Sequence, residues 1–203
     1  MSPYNTEQQE ALDQALQGIS TMTADEISRI KASTEPYLQF REEVRNFSET
    51  HLFPLCKTKC YETGLSACCT KEGIITYFAD MVINFLHSDA GQIARIREAL
   101  ARPRNDGFCV YLGETGCLWR IKPIVCDMFF CDWLLEAAAL NNPMIVARIE
   151  QFKTLQKQFT WPDKPVLFDA METIFLEKKL KAATMYYHFS PGLKAIKKKA
   201  GVP

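Results

Sequence analysis

A chain of 203 residues is long enough to bury a hydrophobic core without cross-links, and one domain is the simplest expectation. Apolar residues make up 47% of the sequence, and 24 basic residues balance 24 acidic ones, so the chain has no net charge that would attract nucleic acid or a membrane surface. We therefore expect no nucleic-acid partner. Residues 1–20 lack the basic start and the apolar stretch of a secretory signal, which predicts a cytoplasmic protein.

Capping signals and apolar periodicity predict helices early in the chain. Thr23 and Glu26 have the spacing of a capping box. Pro36 is favoured in a first helical turn and predicts the start of a second helix. The apolar face of that second helix comprises Tyr37, Phe40, Val44 and Phe47.

Residues 74–86 carry the clearest helical stripe, and a largely buried helix is expected there. The stripe consists of Ile74, Ile75, Phe78, Met81, Val82, Phe85 and Leu86. Asp80 and Asn84 interrupt it, and the stretch is too short to cross a bilayer core of roughly 30 Å, so no membrane partner is expected. Ser88 can cap a further helix that ends near Leu100.

The pattern changes between residues 108 and 121, where two short runs rich in aromatic and branched residues flank Gly113 and Gly116. This pattern predicts a β-hairpin. Another helix is expected to begin near Ile124, and Asn142 followed by Pro143 predicts the start of a longer one. That helix should end at residues 161–165, where a tryptophan and two prolines break the pattern.

A last long helix is predicted from the stripe of Val166, Leu167, Met171, Ile174 and Phe175. Seven lysines between residues 178 and 199 then predict a solvated C-terminal segment. The whole pattern predicts a single, mainly α-helical domain over residues 1–203 with a small β-hairpin. Its cysteine-rich, metal-binding region would cover residues 56–131, with helices on either side.

Eight cysteines form two groups along the sequence: Cys56, Cys60, Cys68 and Cys69, then Cys109, Cys117, Cys126 and Cys131. A single cysteine is often only a small buried hydrophobe, but clustering in turn-rich segments favours another explanation. Zinc and iron-sulfur clusters prefer thiolate ligands that converge from separate short segments. Nearby cations would favour deprotonated thiols, namely Lys57, Lys59, Arg120 and Lys122. All eight cysteines are therefore candidate metal ligands.

An even number of cysteines also permits a disulfide framework. Such frameworks are typical of small secreted domains, whereas this chain is long enough for a core, shows no secretion signal and is expected in the reducing cytosol. Metal binding is therefore the favoured hypothesis. Structural or transient redox disulfides are its alternative.

The order of the cysteines resembles the YkgJ-type cysteine-cluster family, the CxxCxxCC proteins described as zinc- or iron-chelating. The first block here is Cys56-x3-Cys60-x7-Cys68-Cys69, and the second is Cys109-Val-Tyr-Leu-x4-Cys117-Leu-Trp-x2-Lys-Pro-x2-Cys126. The matching positions of the second block are Leu112, Cys117, Trp119, Pro123 and Cys126. The resemblance implies a metal ion or cluster bound by Cys56, Cys60, Cys68, Cys69, Cys109, Cys117 and Cys126.

The sequence departs from the family pattern in three ways. The first block has wider spacing, Lys122 replaces the usual arginine, and Asp127 replaces a basic residue. Cys131 is additional to the motif. A similar cysteine array occurs in flagellin lysine methylases, for which an iron-sulfur cluster is implied, and this likeness covers the cysteines alone.

Other donors near the cysteines receive weaker assignments. His51 is the histidine to test as a ligand, although a structural role is favoured for it, and His87 and His188 are expected to be structural. Four acidic residues could act on a substrate or orient ligands, but turn formation and helix N-termini explain them equally well: Asp106, Glu114, Asp127 and Asp132. No catalytic role is assigned. Phosphate-binding, metalloprotease and nucleophile-elbow motifs do not occur in the sequence.

Geometry limits which cysteines can share an ion. Adjacent Cys68 and Cys69 point to opposite sides of a strand, or about 100° apart on a helix, so one of the pair is expected to pack or to serve a second metal. Cys126 and Cys131 would lie about 140° apart on a regular helix, which predicts that Cys131 is the least important cysteine of its group.

The hairpin carries a register prediction. Side chains alternate along a strand, so Cys109 and Cys117 share a face when the loop has an odd number of residues or when a bulge intervenes. A regular even loop would pair Leu112 with Cys117 and count against a shared centre.

Two functions are consistent with this pattern. The first is an iron-sulfur or other metal-thiolate protein that supports redox or modification chemistry, including a methyl-transfer-like reaction. The second is a non-enzymatic module in which zinc stabilises a binding or scaffold surface. Iron-sulfur is the favoured cofactor because eight cysteines exceed one tetrahedral zinc site and histidines are scarce, although two zinc ions would also use eight cysteines.

Overall fold

The computed structural model describes residues 2–65, 67–69, 75–160 and 166–202 as a mainly helical chain with a short hairpin, which confirms the coarse fold class. In chain order its helices are α1 (Pro3–Ser20), α2 (Ala24–His51), α3 (Phe53–Cys56), α4 (Phe78–Leu86), α5 (Ala90–Ala101), α6 (Ile124–Asp127), α7 (Asp132–Asn141), α8 (Pro143–Thr160), α9 (Leu167–Glu177), α10 (Tyr186–Phe189) and α11 (Pro191–Ala200). A π-helical turn (Lys57–Tyr61) follows α3, and a 3-10 turn (Ala67–Cys69) comes before α4. Ile74 and the predicted helix break at residues 161–165 lie outside the described residues.

Helix α2 continues through Pro36 without a break, so the prediction of a new helix at Pro36 is wrong. The capping box at its start is confirmed, because the Glu26 N–H donates to the Thr23 hydroxyl at 3.2 Å and the Thr23 N–H donates to the Glu26 carboxylate at 2.7 Å. A proline inside a helix removes one hydrogen bond. Here the residues on both sides of it pack into the same core, and that burial outweighs the local cost. The buried residues include Ile30, Tyr37, Phe40 and Val44.

Helix α4 is the centre of the fold, and all nine of its residues are buried. The predicted buried helix is thus confirmed, although it begins at Phe78 and Ile75 is exposed. It packs against α1, α2 and α9. Phe78 meets Phe175 of α9 edge to face, with ring centroids 4.9 Å apart. Helix α1 approaches the same ring so closely at Gly18 that a Cβ there would lie 2.2 Å from the Phe175 ring.

Helix α5 is capped by Asp89 and not by Ser88, so the predicted cap is one residue early. The Gln92 N–H donates to the Asp89 carboxylate at 2.8 Å, and the Asp89 N–H donates to the Gln92 side chain at 2.9 Å. This reciprocal pair satisfies two otherwise unpaired donors, which a serine one position earlier cannot do with the same partner.

The hairpin is shorter than predicted and consists of strands β1 (Leu112–Gly113) and β2 (Gly116–Cys117). The strands are antiparallel, with Leu112 opposite Cys117 and Gly113 opposite Gly116. Gly116 has a φ of 122°, a conformation that favours glycine. The two residues between the strands form a tight loop that brings the second half of the cysteine region back along the first.

The C-terminal half confirms most predicted helices. Asn142 precedes α8 and its side chain accepts from the Met144 N–H at 3.0 Å, as expected of an N-cap followed by a proline. The expectation of a solvated lysine segment is wrong for Lys197, which is buried in α11 and donates to Asp169 of α9. A partner carboxylate allows this burial, whereas the pattern of lysines alone does not reveal it.

Buried apolar side chains form two clusters among the described residues. The main core is built around α1, α2, α4 and α9 and extends to the hairpin region. The small core lies where α3, α7 and α8 meet, and its buried members are Leu52, Leu134, Ala138, Ile145 and Ile149. In the described parts of the chain, no helix is long and apolar enough to cross a membrane.

Candidate metal centre

The fold divides the eight free cysteines differently from their order along the chain. We call one set the inner cysteines: Cys69, Cys109, Cys117 and Cys126. We call the other set the outer cysteines: Cys56, Cys60, Cys68 and Cys131. The inner set is associated with the main core, where Cys109 is a buried member and Cys69 and Cys117 pack against it. The outer set is associated with the small core, against which Cys56 packs.

The inner thiols act on one another electrostatically. Burial raises the pKa of Cys126, and negative charge at Cys117 and Cys109 raises it further. Burial raises the pKa of Cys117 to about 11, and Cys109 adds to that effect. Negative charge at the other three inner thiols also acts to raise the pKa of Cys69. A group of thiols that raise each other's pKa is a site where a cation would be strongly favoured over protons.

Two inner thiols accept backbone hydrogen bonds from the residue two positions ahead. The Tyr111 N–H donates to Cys109, and the Trp119 N–H donates to Cys117, and each bond opposes the rise of the thiol pKa caused by burial. The two aromatic side chains are buried and meet edge to face, with ring centroids 5.3 Å apart. Their packing fixes the amides that point at sulfur. Such bonds stabilise thiolates and tune iron-sulfur centres.

The register prediction requires a loop of three or five residues, or a bulge, if Cys109 and Cys117 bind one site, and the observed loop is even. Leu112 does pair with Cys117 across a two-residue loop. However, the strand does not extend back to Cys109, because the Leu112 N–H donates to the Cys109 carbonyl at 2.9 Å and closes a turn. Strand alternation therefore does not apply at Cys109, and the length of the loop does not decide on which side its thiol lies.

The segment that carries Cys126 is fixed by Arg41, a buried side chain of α2. Its guanidinium donates to the Lys122 carbonyl at 2.6 Å and to the Asp127 carboxylate at 2.5 Å. One planar cation thus binds the chain on both sides of Cys126. Asp127, considered above as a residue that could act on a substrate, is a partner of this arginine.

Two polar residues of α4 bind the same segment. The buried Asp80 carboxylate accepts from the Ile124 N–H at 3.2 Å, and burial raises its pKa to about 7 against the opposing effect of Arg41. The Asn84 side chain accepts from the Ile121 N–H at 2.9 Å. Sequence reasoning missed these roles, although the signal was present. A carboxylate and an amide inside an otherwise apolar helical stripe need buried partners.

Three of the outer cysteines lie beside the contact of α3 with α7. Cys56 ends α3, Cys60 lies in the π-helical turn, and Cys131 precedes the first residue of α7. Burial raises the pKa of Cys56, and negative charge at Cys131, Cys68 and Cys60 adds to that shift, in that order. Cys68 and Cys131 are exposed. The outer set is therefore open to solvent, and a π-helical turn in it is a feature often found at functional sites.

Of the two reasons for predicting a minor role for Cys131, its place outside the motif and its helical phase relative to Cys126, the second is wrong. Helix α6 ends at Asp127, so Cys126 and Cys131 do not share a helix. The chain turns between them and delivers Cys131 to the neighbourhood of Cys56. On the same side, the Lys59 ammonium lies 5.3 Å from the centre of the Trp133 ring and links the π-helical turn to α7.

Cys68 and Cys69 lie where the two sets meet. Their sulfurs are 4.0 Å apart, and the hydrogen bond between them raises the pKa of Cys68 and lowers that of Cys69. The Cys109 N–H donates to the Cys69 carbonyl at 2.7 Å, which ties Cys69 to the inner set. The charge of Lys122 acts on both Cys68 and Cys117, so this lysine lies between the sets.

The histidines make contacts of their own. The ring of His51 packs on Phe47 at 4.9 Å. The Nε2 atom of His87 lies 3.3 Å from the Thr34 hydroxyl oxygen, and the Nε2 atom of His188 lies 3.3 Å from the Thr173 hydroxyl oxygen. These contacts agree with the structural roles expected for His87 and His188.

Three other acidic residues were considered above. Asp106 binds Arg104, which also donates to the Leu112 carbonyl at 2.6 Å and supports the hairpin. Asp132 lies in the first turn of α7, as expected of a residue at a helix N-terminus, and Glu114 lies in the hairpin loop.

As they stand, the described cysteine, histidine, aspartate and glutamate side chains include no group of three arranged to hold a metal ion. The thiols are neighbours within each set, and metal ligation by them stays a prediction. Comparison of the chain with protein-family models, with curated proteins and with solved structures finds no match.

Proposed function

We propose that this chain binds an iron-sulfur cluster or zinc through its cysteine thiolates. The observation that carries the proposal is that thiols from segments far apart in sequence act on one another electrostatically, in two neighbouring sets. Free cysteines used only for packing have no reason to collect in this way. Thiolates are the preferred ligands of zinc and of iron-sulfur clusters, so the donor set suits both.

The surroundings of the thiols support the same proposal. Backbone N–H groups point at the sulfurs of Cys109 and Cys117, and the cation of Lys122 lies near Cys117 and Cys68. Both features stabilise thiolate charge. Ligation requires the thiols to turn toward a common point, and a cysteine side chain does this by rotation about one torsion with three staggered positions.

The resemblance of the cysteine order to the YkgJ-type family adds support, and we propose that the chain is related to those proteins. Among the two cofactors we favour iron-sulfur, because the thiol count exceeds one tetrahedral zinc site and the donor set contains no assigned histidine. A cluster would supply electron transfer or bind a substrate for a modification reaction. The chain's own contribution is to hold the thiols, to donate backbone hydrogen bonds to sulfur and to exclude water from the inner set.

A zinc-stabilised binding or scaffold module is the second candidate, and the burial of the inner cysteines favours it. Structural zinc sites are closed, with four protein ligands and no open position. Cys109 is only 5% exposed and the aromatic residues beside it are buried, so a substrate cannot reach that sulfur directly. In this case zinc would join the hairpin to α6 and stabilise the surface around them.

Anaerobic purification followed by metal analysis and a visible absorption spectrum tests the proposal. A brown protein with iron and sulfide supports the iron-sulfur form, whereas zinc with no visible band supports the second candidate, because zinc is d¹⁰ and colourless. Simultaneous replacement of Cys117 and Cys131 by serine should remove the bound metal. The control is replacement of His51 by alanine, which should leave the metal content unchanged. Protein that contains neither metal in stoichiometric amount would refute the proposal.

A further inference from the structure

We propose that the eight cysteines form two separate four-thiolate centres, one from the inner and one from the outer cysteines, divided at the peptide bond between Cys68 and Cys69. This inference rests on the proposed function and goes beyond it, because it states how many centres there are and which thiols each one uses. Its sets differ from the two groups that the cysteines form along the sequence, and it agrees with the expectation that Cys68 and Cys69 do not share an ion.

The first argument is that the two sets belong to different cores. Cys109 is buried in the main core, and Cys69 and Cys117 pack against it. Cys56 packs instead against the small core, whose member Leu134 lies in the helix that begins just after Cys131. Three inner thiols are therefore positioned by the main core, and Cys56 of the outer set is positioned by the small core.

The second argument concerns the connections between segments. The inner set is joined by the hydrogen bond from the Cys109 N–H to the Cys69 carbonyl and by the hairpin that leads to Cys117. The outer set is joined by the contact of α3 with α7 and by the placement of Lys59 over Trp133. The sets touch at the 4.0 Å separation of the Cys68 and Cys69 sulfurs.

The third argument is electrostatic. The thiols whose charges act on Cys126 are Cys117 and Cys109, both inner, whereas those that act on Cys56 are Cys131, Cys68 and Cys60. The sets are coupled at their border, where Cys68 acts on Cys69 and on Cys109. Two four-thiolate centres side by side would each carry negative charge. Lys122, which acts on a thiol of each set, is placed to reduce their repulsion.

The two centres differ in access. Two outer thiols are exposed, whereas Cys109 is buried and the other inner thiols are half-buried. The inner centre is thus less accessible to solvent than the outer centre. We expect the outer centre to exchange or lose its metal first.

Alkylation of the metal-loaded protein tests the division, with mass spectrometry to locate the modified thiols. Wild-type protein loaded anaerobically with iron and sulfide, or with zinc, should hold two centres and resist iodoacetamide. Cys131→Ser should lose half of the metal and expose Cys68 to modification while Cys69 stays protected. Cys117→Ser should also lose half of the metal, but here Cys69 should become reactive while Cys68 stays protected. Circular dichroism checks that each variant is folded.

Wild-type protein gives a second measurement that needs no variant. During slow chelation with EDTA for zinc, or with an iron chelator for the cluster, metal should leave in two phases. Cys68 should become reactive in the fast phase and Cys69 in the slow phase. If Cys68 and Cys69 become reactive together, either in one of the variants or in the same phase of chelation, the two-centre assignment is overturned. The proposed function is unaffected by that result. Wild-type protein that binds no metal would overturn both.

Discussion

Helix α4 and the segment from Phe53 to Cys69 are close in the chain but are stabilised in opposite ways. Every residue of α4 is buried, and its polar side chains bind specific backbone groups. In the segment before it, none of the described side chains is buried, and Phe53 and Leu65 are 42% and 54% exposed. Apolar burial accounts for the first region and cannot account for the second.

Backbone hydrogen bonds within that segment are local. The Glu62 N–H donates to the Lys57 carbonyl, and the Leu65 N–H donates to the Cys60 carbonyl. Isolated turns of this kind are marginal in water, because each fixes several torsions for few bonds. The comparison teaches that four cysteines, Cys56, Cys60, Cys68 and Cys69, lie in the part of the chain that the cores support least. A metal bound to those thiols would supply the missing constraint.

Removal of the metal should therefore have the largest effect of any change considered. Structural zinc in finger peptides contributes on the order of 10 kcal/mol, and a domain with its own core should depend on it less completely. We expect stripped protein to lose amide protection from Phe53 to Cys69 while α4 keeps its protection. The loops of Cys109 and Cys117 should show a smaller loss, because buried Tyr111 and Trp119 also hold them.

Hydrogen exchange on metal-loaded and stripped samples measures this difference. Equal protection of the Phe53 to Cys69 amides in both samples would show that the segment does not need a metal, and the comparison above would lose its physical basis.

A matched pair of phenylalanine substitutions gives the next largest effect. Phe78→Ala should lower the free energy of unfolding by about 3–5 kcal/mol, because it leaves a cavity beside Phe175 in the main core. Phe53→Ala should change it by less than about 0.5 kcal/mol, since that ring is already partly in water. Urea unfolding of metal-stripped protein compares the two without a contribution from ligation. Similar losses would mean that α3 is supported by packing after all.

The helical part of the fold could largely be predicted from the sequence. The capping box at Thr23, the stripe of α4 and the start of α8 at Pro143 are signals carried by neighbouring residues. Errors arose where a distant partner decides the outcome. Pro36 stays inside α2 because both of its sides pack into one core, and Lys197 is buried because Asp169 of another helix receives it.

The residue types of the candidate site could be predicted, whereas their grouping could not. The cysteines were identifiable from their number and clustering, but Cys131 approaches Cys56 only because α6 ends early and α7 packs on α3. The hydrogen bond from the Cys109 N–H to the Cys69 carbonyl, which joins the two sequence groups, is likewise a tertiary result. Asp80 and Asn84 did carry a sequence signal, since polar residues in an apolar stripe require buried partners.

A pH dependence sharpens the description of the helical region. Burial raises the pKa of Glu172 in α9 to about 8 from an ordinary value of 4.5, although the Tyr187 and His188 N–H groups oppose the shift. The folded protein therefore keeps this proton between pH 4.5 and 8, while the unfolded chain has lost it. Stability should be highest below this range and should fall through it, by up to roughly 1.4 kcal/mol per pH unit from this group.

Glu172→Gln isolates that contribution. Urea unfolding of both proteins at several values between pH 5 and pH 8 should show a steeper loss of stability for wild type, because glutamine has no proton to release. Asp80, whose pKa is also raised, is present in both proteins and cancels in the difference. Parallel curves would contradict the raised pKa of Glu172.

The smallest expected effect is at the start of α2, and a pair of threonines in that helix can measure it. Thr23→Ala removes the hydroxyl that accepts the Glu26 N–H, and loss of such an N-cap costs about 1 kcal/mol. Thr50 lies in the last turn of the same helix, where its hydroxyl donates to the Asn46 carbonyl. That bond does not cap an unpaired backbone N–H group of the helix, and alanine favours helix more than threonine does. Thr50→Ala should therefore change the free energy of unfolding by less than about 0.5 kcal/mol. Urea unfolding of the two variants and wild type gives both values.

Because Thr23 is far in sequence from the cysteines, the Thr23→Ala variant should leave metal content unchanged. Amide protection in α2 should be lost mainly in its first turn. An equal loss from both substitutions would show that the capping box does not stabilise α2.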